Sequence, residues 1–383
     1  MISKSREGFY VLMAAALLFP VLVGIGLWVS LQKPLWNDEI YTQVKSIDKG
    51  TYQDILLGRL NEGNLSPFFH SLQKLLCDVT GYAFPEKWDG RWYYGDIKSQ
   101  VLLRIPANLF MSLALVLLFY CFSRWYSWPI GVLALLMALS TYTVWEYWAE
   151  ARPYALWYSL TIMQGMAFLR ILFDQKQSKS SCMALHVIHV FLAFTVIVSL
   201  VQIVIVLFLL SFFKTKDFKN FCVTLFIPAS ICFLYYFRSP IVGYKLVDPG
   251  RMVYANFPVE YLLFWLGTIF IVLWAYKKKQ GPIDPQGSAA VIFSGTMFLL
   301  IVATFAMMIY IKLKETAFGP LPSRTFLFLA PAGIVATAVG FAEAARMLST
   351  NTWARFNLVL ILTGLILLRA VKTYHEIVIS GIF

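Results

Sequence analysis

The apolar run from Phe9 to Leu31 gives way, a few residues on, to Trp36-Asn37-Asp38-Glu39-Ile40-Tyr41. The run has the length of one membrane span, for which about 20 apolar residues suffice. It is too long for the apolar core of a signal peptide, and no small-x-small cleavage site closes it, so it is expected to stay as a first helix. Lys4 and Arg6 precede it and place the N-terminus in the cytoplasm. The hexapeptide therefore emerges on the opposite face, carrying two adjacent carboxylates at a membrane boundary.

Charge is scarce elsewhere. Of 383 residues 59% are hydrophobic and 14% charged, and the mean hydropathy is +0.69. A soluble domain cannot hide so much apolar surface, so the sequence is that of an all-α polytopic membrane protein with room for about 10–11 spans. The net charge of +12 fits cytoplasmic anchoring and anionic lipid rather than nucleic acid, for which no motif is present. Five cysteines, odd in number and without a CxxC pair, indicate neither a disulfide framework nor a zinc site. The four histidines form no ligand spacing with carboxylates; His186 and His189 read as structural.

The segment from Gln32 to Gln100 is the longest polar stretch and is expected to be the first extracytoplasmic loop. Loops of that size are usually functional. Ile40, Val44 and Ile47 recur at helical spacing. So do Phe68, Phe69, Leu72, Leu75, Leu76 and Val79, introduced by Ser66 as cap and Pro67 as first-turn residue. Both runs are too short to span and are expected to lie on the membrane face. Trp88, Trp92, Tyr93 and Tyr94 add an aromatic cluster of headgroup type.

Further spans are expected near residues 101–122, 128–145, 153–173, 182–199, 200–213, 221–237, 259–276, 289–310, 325–343 and 356–373. Residues 182–213 read equally as one long tilted helix or two short ones. Arg124, Lys176, Lys179, Lys214, Lys216, Lys219, Lys277 to Lys279, Arg346 and Arg355 all fall on the cytoplasmic side of this scheme. The whole of 1–383 is expected to form a single transmembrane domain with no soluble C-terminal domain.

On the outer face the scheme collects Asp38, Glu39, Glu62, Asn64, Arg104, Glu146, Glu150 and Arg152, with Arg238, Lys245, Arg251, Lys312, Lys314 and Arg324 from later loops. Ionisable groups beside hydrocarbon are costly to hold and mark a substrate path. A few acids with scattered cations suit transfer of a sugar from a polyprenyl phosphate. One carboxylate takes the proton of an acceptor hydroxyl, and Arg or Lys holds the departing phosphate. Phosphate leaves readily, so the second acid of a glycosidase is unnecessary. Asp38 as base, with Arg152, Arg324 or a loop lysine on phosphate, meets that list. The plainer readings are that Asp38 and Glu39 favour a helix N-terminus, that Arg152 neutralises Glu150, and that Lys312 and its neighbours touch anionic lipid.

Asn37-Asp38-Glu39 after the first span, followed by Asn64-Leu65-Ser66-Pro67-Phe68-Phe69, resembles GT-C glycosyltransferases of the dolichyl-phosphate-mannose and aminoarabinose transferase type. Leu102-Leu103-Arg104-Ile105-Pro106 is similar to their second-span opening. Glu150-Ala151-Arg152-Pro153-Tyr154-Ala155-Leu156 looks like their motif at the fourth span, and Ser323-Arg324-Thr325 is a weaker echo of a later one. The likeness covers about the first 170 residues in family order. Leu65 and Ser66 replace a His-Pro pair, so that histidine's role is absent or moved to His70.

The resemblance implies a GT-C-like helical bundle and an inverting transferase acting on the non-cytoplasmic face. The donor would be a polyprenyl-phosphate sugar and the acceptor a glycan, lipid or protein. Asp38 would be the base, Glu39 would position the loop or acceptor, and Arg152 would face the phosphate. Glu150, Tyr154, Asn64, Arg104, Arg324 and Lys312 would complete the substrate-binding set. Some relatives use a divalent metal ion, but no acid spacing here compels one. A bacterial inner membrane with the site outward is the expected location. A flippase for lipid-linked sugars, or a non-catalytic subunit of a glycosylation complex, would share the ligand. The absence of charge from mid-span favours chemistry at the surface over passage.

Overall fold

The computed structural model describes residues 2–60, 66–82, 97–173, 179–213, 226–231, 256–279, 285–313 and 326–379, and among these it is helical without a strand. In order the helices are α1 (Ile2–Gln32), α2 (Asn37–Thr42), a π-helical turn (Gln43–Asp48), α3 (Tyr52–Leu56), α4 (Pro67–Thr80), α5 (Ile97–Trp125), α6 (Trp128–Leu139), α7 (Tyr142–Trp148), α8 (Tyr154–Phe173), α9 (Lys179–Ala193), α10 (Ser199–Phe213), α11 (Val259–Lys279), α12 (Pro285–Leu313), α13 (Leu329–Met347) and α14 (Thr352–Ile379). Six of them are long and apolar enough to cross a membrane: α1, α5, α8, α11, α12 and α14. The protein is an integral multi-pass membrane protein, and all-α as expected.

Helix α5 organises the N-terminal half, packing against α1, α6 and α8, while α13 collects α11 and α12 and meets α8 and α6. Small side chains let α13 do this. Residues Leu329 to Ala344 are all buried, and a Cβ on Gly333 would lie 2.4 Å from the ring of Phe257. Close approach through small residues is how helices associate where lipid removes the hydrophobic drive between them.

One span differs from the expected straight rod, and the open reading of another is settled. Residues 128–145 form not one helix but α6 and α7, bent by 70° at the break. Hydropathy cannot register that bend. At the break Ser140 and Thr141 turn their hydroxyls back to Met137 O and Ala138 O. The carbonyl freed at Ser140 is taken by Thr373 Oγ1 of α14 at 2.7 Å, and Ser140 Oγ pairs with the hydroxyl of Tyr261 in α11. A helix may break inside a membrane protein only when its freed polar groups find partners this way. Residues 182–213 resolve into two short helices, α9 and α10, of 15 residues each. Each is about 22 Å long at 1.5 Å per residue, short of the roughly 30 Å hydrocarbon core. Most of the expected span at 221–237 lies outside the described residues.

The first loop forms helices as its spacing indicates. Helix α4 begins at Pro67 after Ser66 and ends on Gly81, whose φ of 61° is the left-handed conformation glycine adopts freely. Ser66 does not cap with its side chain, however. Its Oγ donates to Phe194 O in the turn between α9 and α10, and its amide meets His70 Nδ1 at 3.0 Å.

Candidate active site

Arg104 and Glu39 form the base on which the site stands. Both side chains are wholly buried, and the guanidinium faces the carboxylate through two bonds, Nε to Oε1 at 3.0 Å and Nη2 to Oε2 at 2.7 Å. The remaining N–H groups of Arg104 go to the carbonyls of Ser30, Lys33 and Pro34 where α1 ends. Terminal carbonyls of a helix lack partners of their own and carry its negative dipole end, so a cation there is favourable. Glu39 in turn accepts the amides of Trp36 (3.1 Å) and Ala151. Burial would raise its pKa, but Arg104, Lys33 and the Ala151 amide together outweigh burial and hold the carboxyl below its ordinary value.

Two residues thus join the end of α1, the first turn of α2, α5 and the connection between α7 and α8. Gln73 of α4 adds a third tie, its Nε2 donating to Leu103 O at 2.8 Å and Ala151 O at 3.0 Å. Gly26 allows α1 to sit this close, since a Cβ there would meet Asn108 Oδ1 at 2.0 Å and Trp148 Nε1 at 2.4 Å.

Asp38, next to Glu39 in the first turn of α2, is half-buried. Its backbone carbonyl accepts from Arg152 Nη1 at 3.4 Å, and the same nitrogen bonds Thr42 Oγ1. Arg152 therefore grips α2 at both ends. Glu150, buried at 2% exposure, lies among Lys33, Glu39, Glu146 and Arg152. Its burial, opposed by Lys33, pushes the carboxyl up to about 8. Tyr154 opens α8, buried, with its ring 5.0 Å from that of Tyr147.

The structure thus brings Asp38, Glu39, Arg104, Glu150, Arg152 and Tyr154 to one end of the bundle. Asn64, Glu62 and Arg324, together with the side chain of Lys312, lie outside the described residues, as do Lys245 and Arg251. Arg104 was expected to bind substrate, but every donor it has is committed within the fold. His70 is buried at the start of α4 against Ser66, where it shapes the helix entry.

Sequence reasoning passed over Lys33, whose Nζ reaches Glu146 O at 3.4 Å. The available signal was a lysine directly after the first span and ahead of the acid pair. It also passed over Thr42 and Gln73. Among the described residues no three His, Cys, Asp or Glu side chains meet as metal ligands.

No protein-family model matches this sequence, and no curated protein does. Solved structures do match. ArnT from Cupriavidus metallidurans bound to undecaprenyl phosphate has a TM-score of 0.52 and 13% identity, covering 96% of this chain and 74% of that one. The same protein in the apo state gives a TM-score of 0.52 at 12% identity, covering 97% and 74%. Over nearly its whole length, then, this chain has the fold of ArnT.

Proposed function

We propose that the protein is a glycosyltransferase moving a hexose or pentose from a polyprenyl-phosphate donor to a hydroxyl of a glycan, lipid or protein. The reaction takes place on the non-cytoplasmic face, in a bacterial inner membrane. The observation that carries this reading is the clamped Asp38. It is a half-buried carboxylate on a helical turn fixed from behind by Glu39–Arg104 and from the side by Arg152. A base must be held in place to within a fraction of an ångström to be effective.

Asp38 takes the proton of the acceptor hydroxyl as its oxygen bonds the anomeric carbon. The bond from that carbon to the phosphate oxygen breaks on the opposite side, so the configuration inverts. The electron pair leaves with the polyprenyl phosphate. Arg152 and Lys33 both lie near Glu150 and supply the positive charge that the departing phosphate needs. Glu39 and Arg104 act as positioning residues. The ArnT crystal structure with undecaprenyl phosphate supports the donor class by fold likeness.

The test is turnover of a panel of polyprenyl-phosphate sugars by the purified protein and by Asp38→Asn. Polyprenyl phosphate should be released by the wild type and not by the variant, with donor binding intact in both. Donor binding without turnover by the wild type, given credible acceptors, would move the reading to a flippase or subunit.

A further inference from the structure

Glu150 is a buried acid of the site to which the proposed reaction gives no part. It sits in the connection between α7 and α8, and its Oε1 has no hydrogen-bond partner among the described residues. An unmet oxygen in a dry place costs about 1–3 kcal/mol, so such atoms call for an explanation. The charged groups around it do not supply one. From the end of α1, Lys33 turns its Nζ to the carbonyl of Glu146. Arg152 spends Nη1 on Thr42 and Asp38 O. Arg104 of α5 is committed to Glu39 and to the end of α1. Glu39 from α2 and Glu146 from α7 are like charges that oppose ionisation of Glu150. The outer end of α14 reaches this region through Ile377, which packs with Ala149 and Val29. Its own charges are paired as Lys372–Glu260 and Arg369–Glu376.

Resting on the reading above, we propose that Glu150 works as an uncharged acid at the donor site, its carboxyl O–H donating to a phosphate oxygen beside Lys33. An ionised carboxylate there would repel the phosphate. A protonated one adds a hydrogen bond without adding like charge. Burial already favours the protonated form at neutral pH, since it lifts the group to about 8. Lys33 lowers that value and so sets the pH at which the bond is lost.

The experiment is binding of a polyprenyl phosphate to the full chain in nanodiscs from about pH 7 to about pH 9.5, above the phosphate's own second pKa of about 6. Wild-type affinity should hold to about 8 and fall above it, by at most about tenfold per pH unit for one proton. Glu150→Gln, which keeps the neutral shape and an N–H donor, should match the wild type at pH 7 and show no fall. Lys33→Gln should bind more weakly throughout, with its midpoint moved up. A retained fall in Glu150→Gln, or a flat wild-type profile, would overturn the role of Glu150 and leave the transferase reading intact. No binding by the wild type at any pH would remove that reading, and this inference with it.

Discussion

Replacing Arg104 by methionine tests whether the site stands on the Glu39 pair. The variant keeps most of the side chain's bulk but withdraws both bonds to Glu39 and those to Ser30 O, Lys33 O and Pro34 O. Glu39 is left buried with only the amides of Trp36 and Ala151. Breaking a buried pair from one side costs about 3–5 kcal/mol, a large share of the roughly 5–15 kcal/mol by which proteins are stable. At about 2–4 °C per kcal/mol the melting temperature should fall on the order of 10 °C. Adding Glu39→Gln removes the stranded charge, so the double variant should recover part of the loss, with a coupling of about 1–3 kcal/mol. The assay is fluorescence-monitored thermal unfolding in detergent. Because Glu39 is held below its ordinary 4.5, the pair's contribution is complete above that pH and is lost as pH falls through the lowered value. The gap between wild type and Arg104→Met should therefore narrow in acid. A single variant melting within about 2 °C of wild type, or strictly additive losses in the double, would refute the reasoning.

Arg152→Lys keeps the charge but loses the planar fork that reaches both Thr42 and Asp38 O. Turnover should drop about 100-fold from the displaced base, while the melting temperature moves little. Gln73→Leu withdraws the bonds to the carbonyls of Leu103 and Ala151 and should cost about 1–3 kcal/mol in the same unfolding assay. Glu150 has its folded value raised from 4.5 to about 8, so the folded state keeps a proton that the unfolded state has released. Wild-type stability should decline between those two pH values, and Glu150→Gln should flatten that decline in thermal melts across pH.

The acid pair and the motif around Arg152 were legible because each lies within a few residues, at a boundary that hydropathy locates. The same is true of helix α4, whose proline start and glycine end are local signals. What joins them was not legible. Glu39 and Arg104 are separated by 65 positions and Gln73 and Ala151 by 78, and no periodicity in one segment reports a partner in another. Arg104 therefore read as a loose outer-face cation, when its neighbours consume every donor. Lys33 was lost for a different reason. A lysine at a span exit is the ordinary headgroup anchor, and only the placement of Glu150 beside it distinguishes this one. The bend at Ser140-Thr141 was hidden because both arms are apolar and their summed length fits a single crossing.

That bend also sets an order of assembly. The carbonyl it releases is met by Thr373, 233 positions further along the chain, and the hydroxyl beside it by Tyr261, 121 positions on. During synthesis the stretch from Trp128 to Trp148 enters the bilayer long before either partner exists. A straight helix satisfies its own backbone and is the form it can take alone in lipid. The kink that turns α7 toward Glu150 and Arg152 becomes tenable once α11 and α14 arrive. The end of the molecule that holds Asp38, Glu150 and Arg152, encoded in the first half of this sequence, is thus completed by α14, and a chain truncated before Thr373 should insert in the membrane yet fail to hold the bend between α6 and α7.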